Sequence, residues 1–447
     1  MPIKGVLLFV VLICSLPVCF FSPFYGILLW QVIAFLNPQS ALLYWSVALD
    51  FPWALAIAIP TLAGLFLFGG NWMRRLAVRE IYLIVALWIW FTVTSIVSSS
   101  NGLFLHHADL TWFQWRFVSK ILLMTLAVVA IVNSFDRLRI MIITICGCFA
   151  FFVIKDIPFI ILTGGQYRIY GPDRSMIADN NDFGLAMNMT LPLFFLLART
   201  EPSRRMRWFW GALFILGVPI VLFTYSRGAV VGLAAILVLM ILQLRQRLIL
   251  VPIVALGVVL ALAFAPESWK HRMDPTSRDV LDTSAQERLN SWAFSENLAA
   301  DYPITGGGFQ TFTPELFARY APQGNDIHGP HSVYFQLLAE HGYTGLILYL
   351  SLVISCLFTL KKTGKIARRL GDTTIAEYTK MLRFSLIAFL VSGTFLGRAY
   401  FDYFFSVVGC IVILYLVARQ RSQQDLDEIE EASEALVGEE LPALSGS

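Results

Sequence analysis

Charge is scarce. Asp, Glu, Lys and Arg make up 14% of the 447 residues, where a soluble chain carries roughly 25%. That shortage excludes an ordinary water-facing surface and suits a bilayer, whose core rejects charge and requires internally bonded backbone. Cysteine is missing where it would matter chemically. Cys14, Cys19, Cys146, Cys148, Cys356 and Cys410 all sit in apolar runs, so the longest polar segment holds neither a disulfide framework nor a thiolate zinc site. There is no repeat of fixed period and no soluble second domain. A net charge of +3 says little about partners, and nucleic acid is not an expected one.

What is present is hydrophobic length: 57% of the residues are hydrophobic, and a spanning helix needs about 20 mainly apolar residues. Candidate spans are 6–36, 51–69, 80–98, 117–133, 138–162, 183–199, 208–223, 229–244, 248–265, 343–360, 382–398 and 401–418. The first contains Pro17 and Pro23 and crosses once or twice; without a clear small-x-small cleavage site after it, it reads as a retained span. The expected fold is therefore an all-α polytopic membrane protein of about twelve transmembrane helices. It divides into a bundle at 1–265 with nine or ten spans, a long polar segment at 266–342, further transmembrane helices at 343–420 and an acidic tail at 421–447. The tail lacks aromatics and is expected to be disordered or weakly helical on the cytoplasmic side.

Every second loop is basic: Arg74, Arg75 and Arg79; Arg137 and Arg139; Arg204, Arg205 and Arg207; Arg245 and Arg247; Lys361, Lys362, Lys365, Arg368 and Arg369. Basic loops stay in the cytoplasm. The intervening loops 99–116, 163–182, 224–228, 266–342 and 399–400 then face outward, and all six histidines fall on that side. Segment 266–342 carries ten acidic against five basic residues, a balance compatible with export.

Candidate chemistry concentrates in these outer loops. Arg227 lies in Thr224-Tyr225-Ser226-Arg227-Gly228, a brief turn between two spans. Its guanidinium keeps its charge and its fork matches phosphate oxygens. Snorkelling to lipid headgroups is the alternative, but the turn's small and polar neighbours and Gly228 permit close approach. Arg288 lies in a short helical run, Gln286 to Trp292, and no acid sits three or four residues away to engage it. His331 follows Gly329-Pro330, which cannot continue a helix, so it is expected beside the N-terminus of the next one. There the helix dipole keeps an imidazole neutral, as a general base must be; His328 is its rival. Tyr302 to Phe309 contains Gly306-Gly307-Gly308 but lacks the Lys-Ser/Thr of a phosphate loop and reads as a turn for close backbone packing. Asp179, Asn180, Asn181 and Asp182 precede a span; Asp182 is expected as its cap, and the four could also bind sugar hydroxyls, in preference to a metal. Lys155 and Asp156 sit inside a span, where ionisable groups usually face an interior, with Arg398 or Asp402 as possible partners.

Together these residues resemble the O-antigen ligase/polymerase superfamily of bacterial membrane glycosyltransferases. The resemblance covers most of the chain: many spans, the Ser226-Arg227-Gly228 turn, and one long outer segment. That segment carries Glu287-Arg288 with Trp292, Tyr302 to Phe309, and His331-Ser332 followed by Gln336 to Gly345. Tyr170-Gly171-Pro172, Ser175-Met176 and Asp179 to Phe183 are similar to the O-glycosylation ligases that accompany exosortase systems. One departure is Ser332, where relatives often have Asn. The resemblance implies a C-type glycosyltransferase-like fold with a periplasmic catalytic loop in the bacterial inner membrane. It implies inverting, metal-independent transfer of a preassembled glycan from undecaprenyl diphosphate to an acceptor hydroxyl. The acceptor would be lipid A core, another lipid, or Ser/Thr of a protein, with membrane lipids around it and no cofactor. A polymerase of the same superfamily is the alternative, and a lipid-linked glycan transporter a more distant one. His331, Arg288 and Arg227 would be catalytic. Arg174, Asp179, Asn180, Asn181, Tyr225, Ser226, His328 and Ser332 would contact substrate.

Overall fold

The computed structural model describes residues 3–42, 51–243, 251–252, 255–257, 259, 265–267, 269–270 and 278–440. Among them the chain is helical and contains no strand. The elements are α1 (Ile3–Phe21), α2 (Pro23–Phe35), α3 (Pro38–Leu42), α4 (Trp53–Phe68), α5 (Arg79–Ser100), α6 (Ala108–Ile131), α7 (Phe135–Thr163), α8 (Asn180–Thr200), α9 (Arg204–Leu222), α10 (Arg227–Gln243), α11 (Arg278–Asp301), α12 (Pro314–Tyr320), α13 (Val333–Arg369), α14 (Thr373–Gly393) and α15 (Asp402–Glu440). Seven helices among the described residues are long and apolar enough to cross a membrane, and α1, α2, α4 and α10 are apolar but shorter. Large apolar side chains such as Ile161 and Leu162 point outward, 73% and 86% exposed. Such surface is at home in hydrocarbon, not water. The chain is a multi-pass, all-α membrane protein.

Element boundaries refine the sequence reading at three places. The first apolar stretch is two helices, because Pro23 has no N–H to give and opens α2 at its first turn. The span expected at 248–265 lies largely outside the described residues. The outward connection read as 399–400 is the longer loop 394–401, since α14 stops at Gly393 and α15 starts at Asp402. The acidic tail continues α15 as far as Glu440.

Small and polar residues let the helices around the site approach closely. Asn188 on α8 donates to the Ala229 carbonyl of α10 (2.8 Å) and to Ser392 Oγ of α14 (3.3 Å). Gly232 faces that same pair, where a Cβ would run into Ser392. Ser385 of α14 donates to the Met189 carbonyl at 2.7 Å. These bonds tie α8, α10 and α14 together.

The segment 302–308 docks on a break in α13. Gly342 has φ +65°, which interrupts the helix and leaves the carbonyls just before it without their usual partners. The glycine turn supplies replacements. Gly307 N donates to Ala339 O at 2.8 Å and Gly308 N to Glu340 O at 2.9 Å, while Tyr343 N donates to Pro303 O at 2.8 Å. Gly306, at φ +61°, leaves no room for a Cβ against Ala339 O. The expectation of close backbone packing at this turn matches the geometry.

Candidate functional site

α11 carries Arg288 and fixes the loop that carries His331. It runs from Arg278 to Asp301, longer than the short helix expected. Trp292 lies one turn beyond Arg288 on the same helical face. Its ring stacks on Phe335 with centroids 4.8 Å apart and planes 11° apart. Its indole N–H donates to Pro330 O at 3.1 Å, immediately before His331. Asn290 holds the preceding loop, donating to Gln323 O (2.9 Å) and Asp326 O (3.0 Å) and accepting from Gln323 N (2.9 Å). One turn of helix thus holds both Arg288 and the loop before His331, and Arg288 lies near enough to act on the imidazole.

His331 stands two residues before Val333, the first of α13, with Ser332 as the cap residue. Its backbone is left-handed at φ +44°, a costly conformation for a side-chain-bearing residue that persists only where surroundings enforce it. Burial pushes its imidazole below the usual 6.5, and the charges of Arg288 and His328 push the same way while Asp179 opposes them. The imidazole is therefore neutral near pH 7, chiefly for reasons of burial and neighbouring cations. His328 pairs with Asp326 at 2.6 Å, with Glu287 at 3.9 Å, so its imidazole is engaged. Ser332 is buried, and its hydroxyl makes no hydrogen bond among the described residues.

The turn between α9 and α10 brings Arg227 to the same place. Tyr225 takes φ +59° and donates its hydroxyl to Gly165 O at 2.7 Å. Ser226 is buried, and its hydroxyl accepts from Ala229 N at 3.2 Å, capping α10. Both side chains thus have roles inside the fold. Arg227 is the first residue of α10. Arg288 has its pKa lowered, first by burial and then by the charge of Arg227. Its Nε is shut off from solvent and makes no hydrogen bond among the described residues. Two guanidiniums from distant parts of the sequence repel each other beside a neutral imidazole.

Loop 394–401 braces this meeting, and sequence reasoning missed it. Gly228 lets Phe395 come close, a Cβ there lying 3.0 Å from Phe395 Cβ, and Gly397 makes room for Pro330 in the same way. Arg398 forms an ion pair with Asp182, and Asp179 and Asp402 also act on it electrostatically. A lone arginine in an otherwise apolar stretch was the available signal. Two expectations need correction here. Asp182 does not cap α8: Asp179 does, accepting from Asn181 N at 2.8 Å, because the cap lies one residue outside the helix. Lys155 and Asp156 pair with each other at 3.2 Å, not with Arg398 or Asp402.

The remaining candidates divide. Asn180 donates to Thr224 O at 2.7 Å, tying the start of α8 to the Arg227 turn. Asn181 donates its amide to Asp179 at 2.8 Å. Asp179 is near enough to act on His331. Arg174, at φ +57°, lines a separate cavity with Lys120 and Asp402. Among the described residues, no three His, Cys, Asp or Glu side chains are grouped to hold a metal ion.

The cluster joins two guanidiniums, a neutral imidazole and a flanking carboxylate, which suits an anionic leaving group beside a hydroxyl nucleophile. No curated relative matches the chain. Residues 3–202 match a family of unknown function (DUF5935). Residues 212–350, which take in Arg227, Arg288 and His331, match the O-antigen ligase family, so this segment is similar to that family.

Proposed function

We propose that the protein transfers a preassembled glycan en bloc from undecaprenyl diphosphate to an acceptor hydroxyl at the periplasmic face of the bacterial inner membrane. The observation that carries this reading is the like-charge pair Arg227–Arg288 beside His331. The charge of Arg227 disfavours that of Arg288; a diphosphate reaching both would turn that repulsion into paired, charge-assisted hydrogen bonds. Matching of residues 212–350 to the O-antigen ligase family supports the same class of chemistry.

The steps balance simply. His331 takes the proton of the acceptor hydroxyl. The oxygen attacks the anomeric carbon as the bond from that carbon to the diphosphate oxygen breaks, inverting the centre. The electron pair leaves on the diphosphate, where Arg227 and Arg288 meet the growing charge in a partly dry site. They occupy the role a divalent cation fills elsewhere, which makes the transfer metal-independent on this reading. Asp179 opposes complete suppression of the imidazole's basicity, leaving His331 able to accept a proton.

The test is reconstitution in proteoliposomes with an undecaprenyl-diphosphate glycan and candidate acceptors. The expected result is a single block on the acceptor, abolished by His331→Ala at unchanged membrane levels. A growing ladder would instead assign a polymerase, and full transfer by His331→Ala would remove the imidazole from the mechanism.

A further inference from the structure

A second site lies apart from this cluster. A cavity of about 300 Å³ opens where the end of α2, the short helix α3, the start of α4 and the middle of α6 meet the first residue of α15. Its walls are largely apolar, with Trp30, Ile33 and Phe117 among them. Two buried acceptors on those walls lack donors among the described residues, and a lysine stands beside them. Gln39 Oε1 and Asp402 Oδ1 are closed to solvent and accept no hydrogen bond among the described residues. Lys120 reaches the cavity from α6 and is exposed, with no ion pair among the described residues.

Buried acceptors are seldom left without donors in native proteins, and each exception asks for a missing partner. The cavity therefore requires three things of an occupant. It must supply N–H or O–H donors for Asp402 and Gln39, an anion for Lys120, and hydrocarbon for the aromatic walls. We propose that it binds the headgroup end of an ethanolamine phospholipid. The primary ammonium donates to Asp402 and Gln39, the phosphate meets Lys120, and the start of an acyl chain lies along Trp30, Ile33 and Phe117. A trimethylammonium headgroup has no N–H and leaves both acceptors unmet. A headgroup that is only anionic meets Lys120 and Arg174 but brings no cation to Asp402. The volume of about 300 Å³ holds a headgroup and the start of a chain, so the rest of both chains remains in the bilayer that flanks the spans.

This inference is independent of the glycan-transfer reading, and its test does not use activity. The full-length protein, delipidated in detergent, is titrated with phosphatidylethanolamine or phosphatidylcholine, and bound lipid is counted by native mass spectrometry. The ethanolamine lipid is expected to bind about tenfold more tightly, the ratio that 1.4 kcal/mol sets. The double variant Gln39→Leu/Asp402→Leu, which removes both acceptors, should lose that preference while still melting cooperatively without lipid. Equal binding of the two lipids, or full preference in the double variant, would overturn the proposal. O-phosphoethanolamine without chains should compete poorly; competition equal to the lipid's would make this a soluble-ligand site and overturn it as well.

Discussion

Arg288→Met separates catalytic from structural purpose, because the two predict opposite signs. Methionine keeps an unbranched apolar stem to pack where the arginine's methylenes lay but removes the fork of donors. If Arg288 meets the departing diphosphate, its loss removes one preorganised donor at the developing charge, a cost of about 2.7–4 kcal/mol or 10²–10³ in rate. Stability should not follow. The Arg288 Nε has no hydrogen-bond partner to lose among the described residues, and the neighbouring charge of Arg227 acts against the folded state. At a half-exposed site that repulsion amounts to about 0.2–1 kcal/mol after solvent screening. Relieving it should raise the melting temperature by on the order of 1 °C in a chain of this size. Transfer kinetics in proteoliposomes and a thermal melt of the same preparation read both numbers. Undiminished transfer would refute the donor-site role. A melting temperature lowered by about 5 °C or more would show that Arg288 is held in place by bonds the folded state needs.

Three further outcomes are expected. Because the His331 pKa is lowered, the acid limb of the pH–rate profile should fall below pH 6.5, the ordinary histidine value. The imidazole's contribution to stability is complete above 6.5 and shrinks as pH falls through the window beneath it, since the unfolded chain takes up the proton first; a limb above 6.5 would contradict this. Asp182→Ala should cost about 3 kcal/mol by stranding Arg398, seen as a lower melting temperature, and Asp182→Leu with Arg398→Met should recover most of it; an unchanged melt for Asp182→Ala would show the pair to be idle. Gly306→Ala should destabilise the outer segment by about 3 kcal/mol or more, combining a left-handed alanine with a Cβ 2.5 Å from Ala339 O. Limited proteolysis should detect that, while Gly329→Ala, whose Cβ would have nothing within 4 Å, serves as the neutral comparison.

Hydrophobic length alone located the seven described helices long and apolar enough to cross a membrane, because a spanning segment must bury its own backbone bonds whatever its neighbours do. Helix ends were harder. α14 and α15 are separated by loop 394–401, not by the two residues read from hydropathy, because Phe395 and Leu396 are apolar for packing and not for spanning. Arg227, Arg288 and His331 could each be singled out from local chemistry: a charged residue in a short turn, an arginine without a local acid, a histidine after Gly-Pro. Local chemistry also misassigned Asp182, whose spacing suits a cap equally well, because its partner Arg398 lies far along the chain.

Composition and periodicity by themselves determined that this is an all-α membrane protein with its polar residues gathered in one long segment, since a bilayer allows few other solutions for such a chain. Tertiary structure alone decided which polar residues share a site. The Trp292–Phe335 stack, the glycine turn on the broken α13, and the bracing loop that carries Arg398 are contacts between elements. Charge repulsion and burial act through space, so the pressure of Arg227 on Arg288 and the lowered basicity of His331 exist only once those contacts have formed.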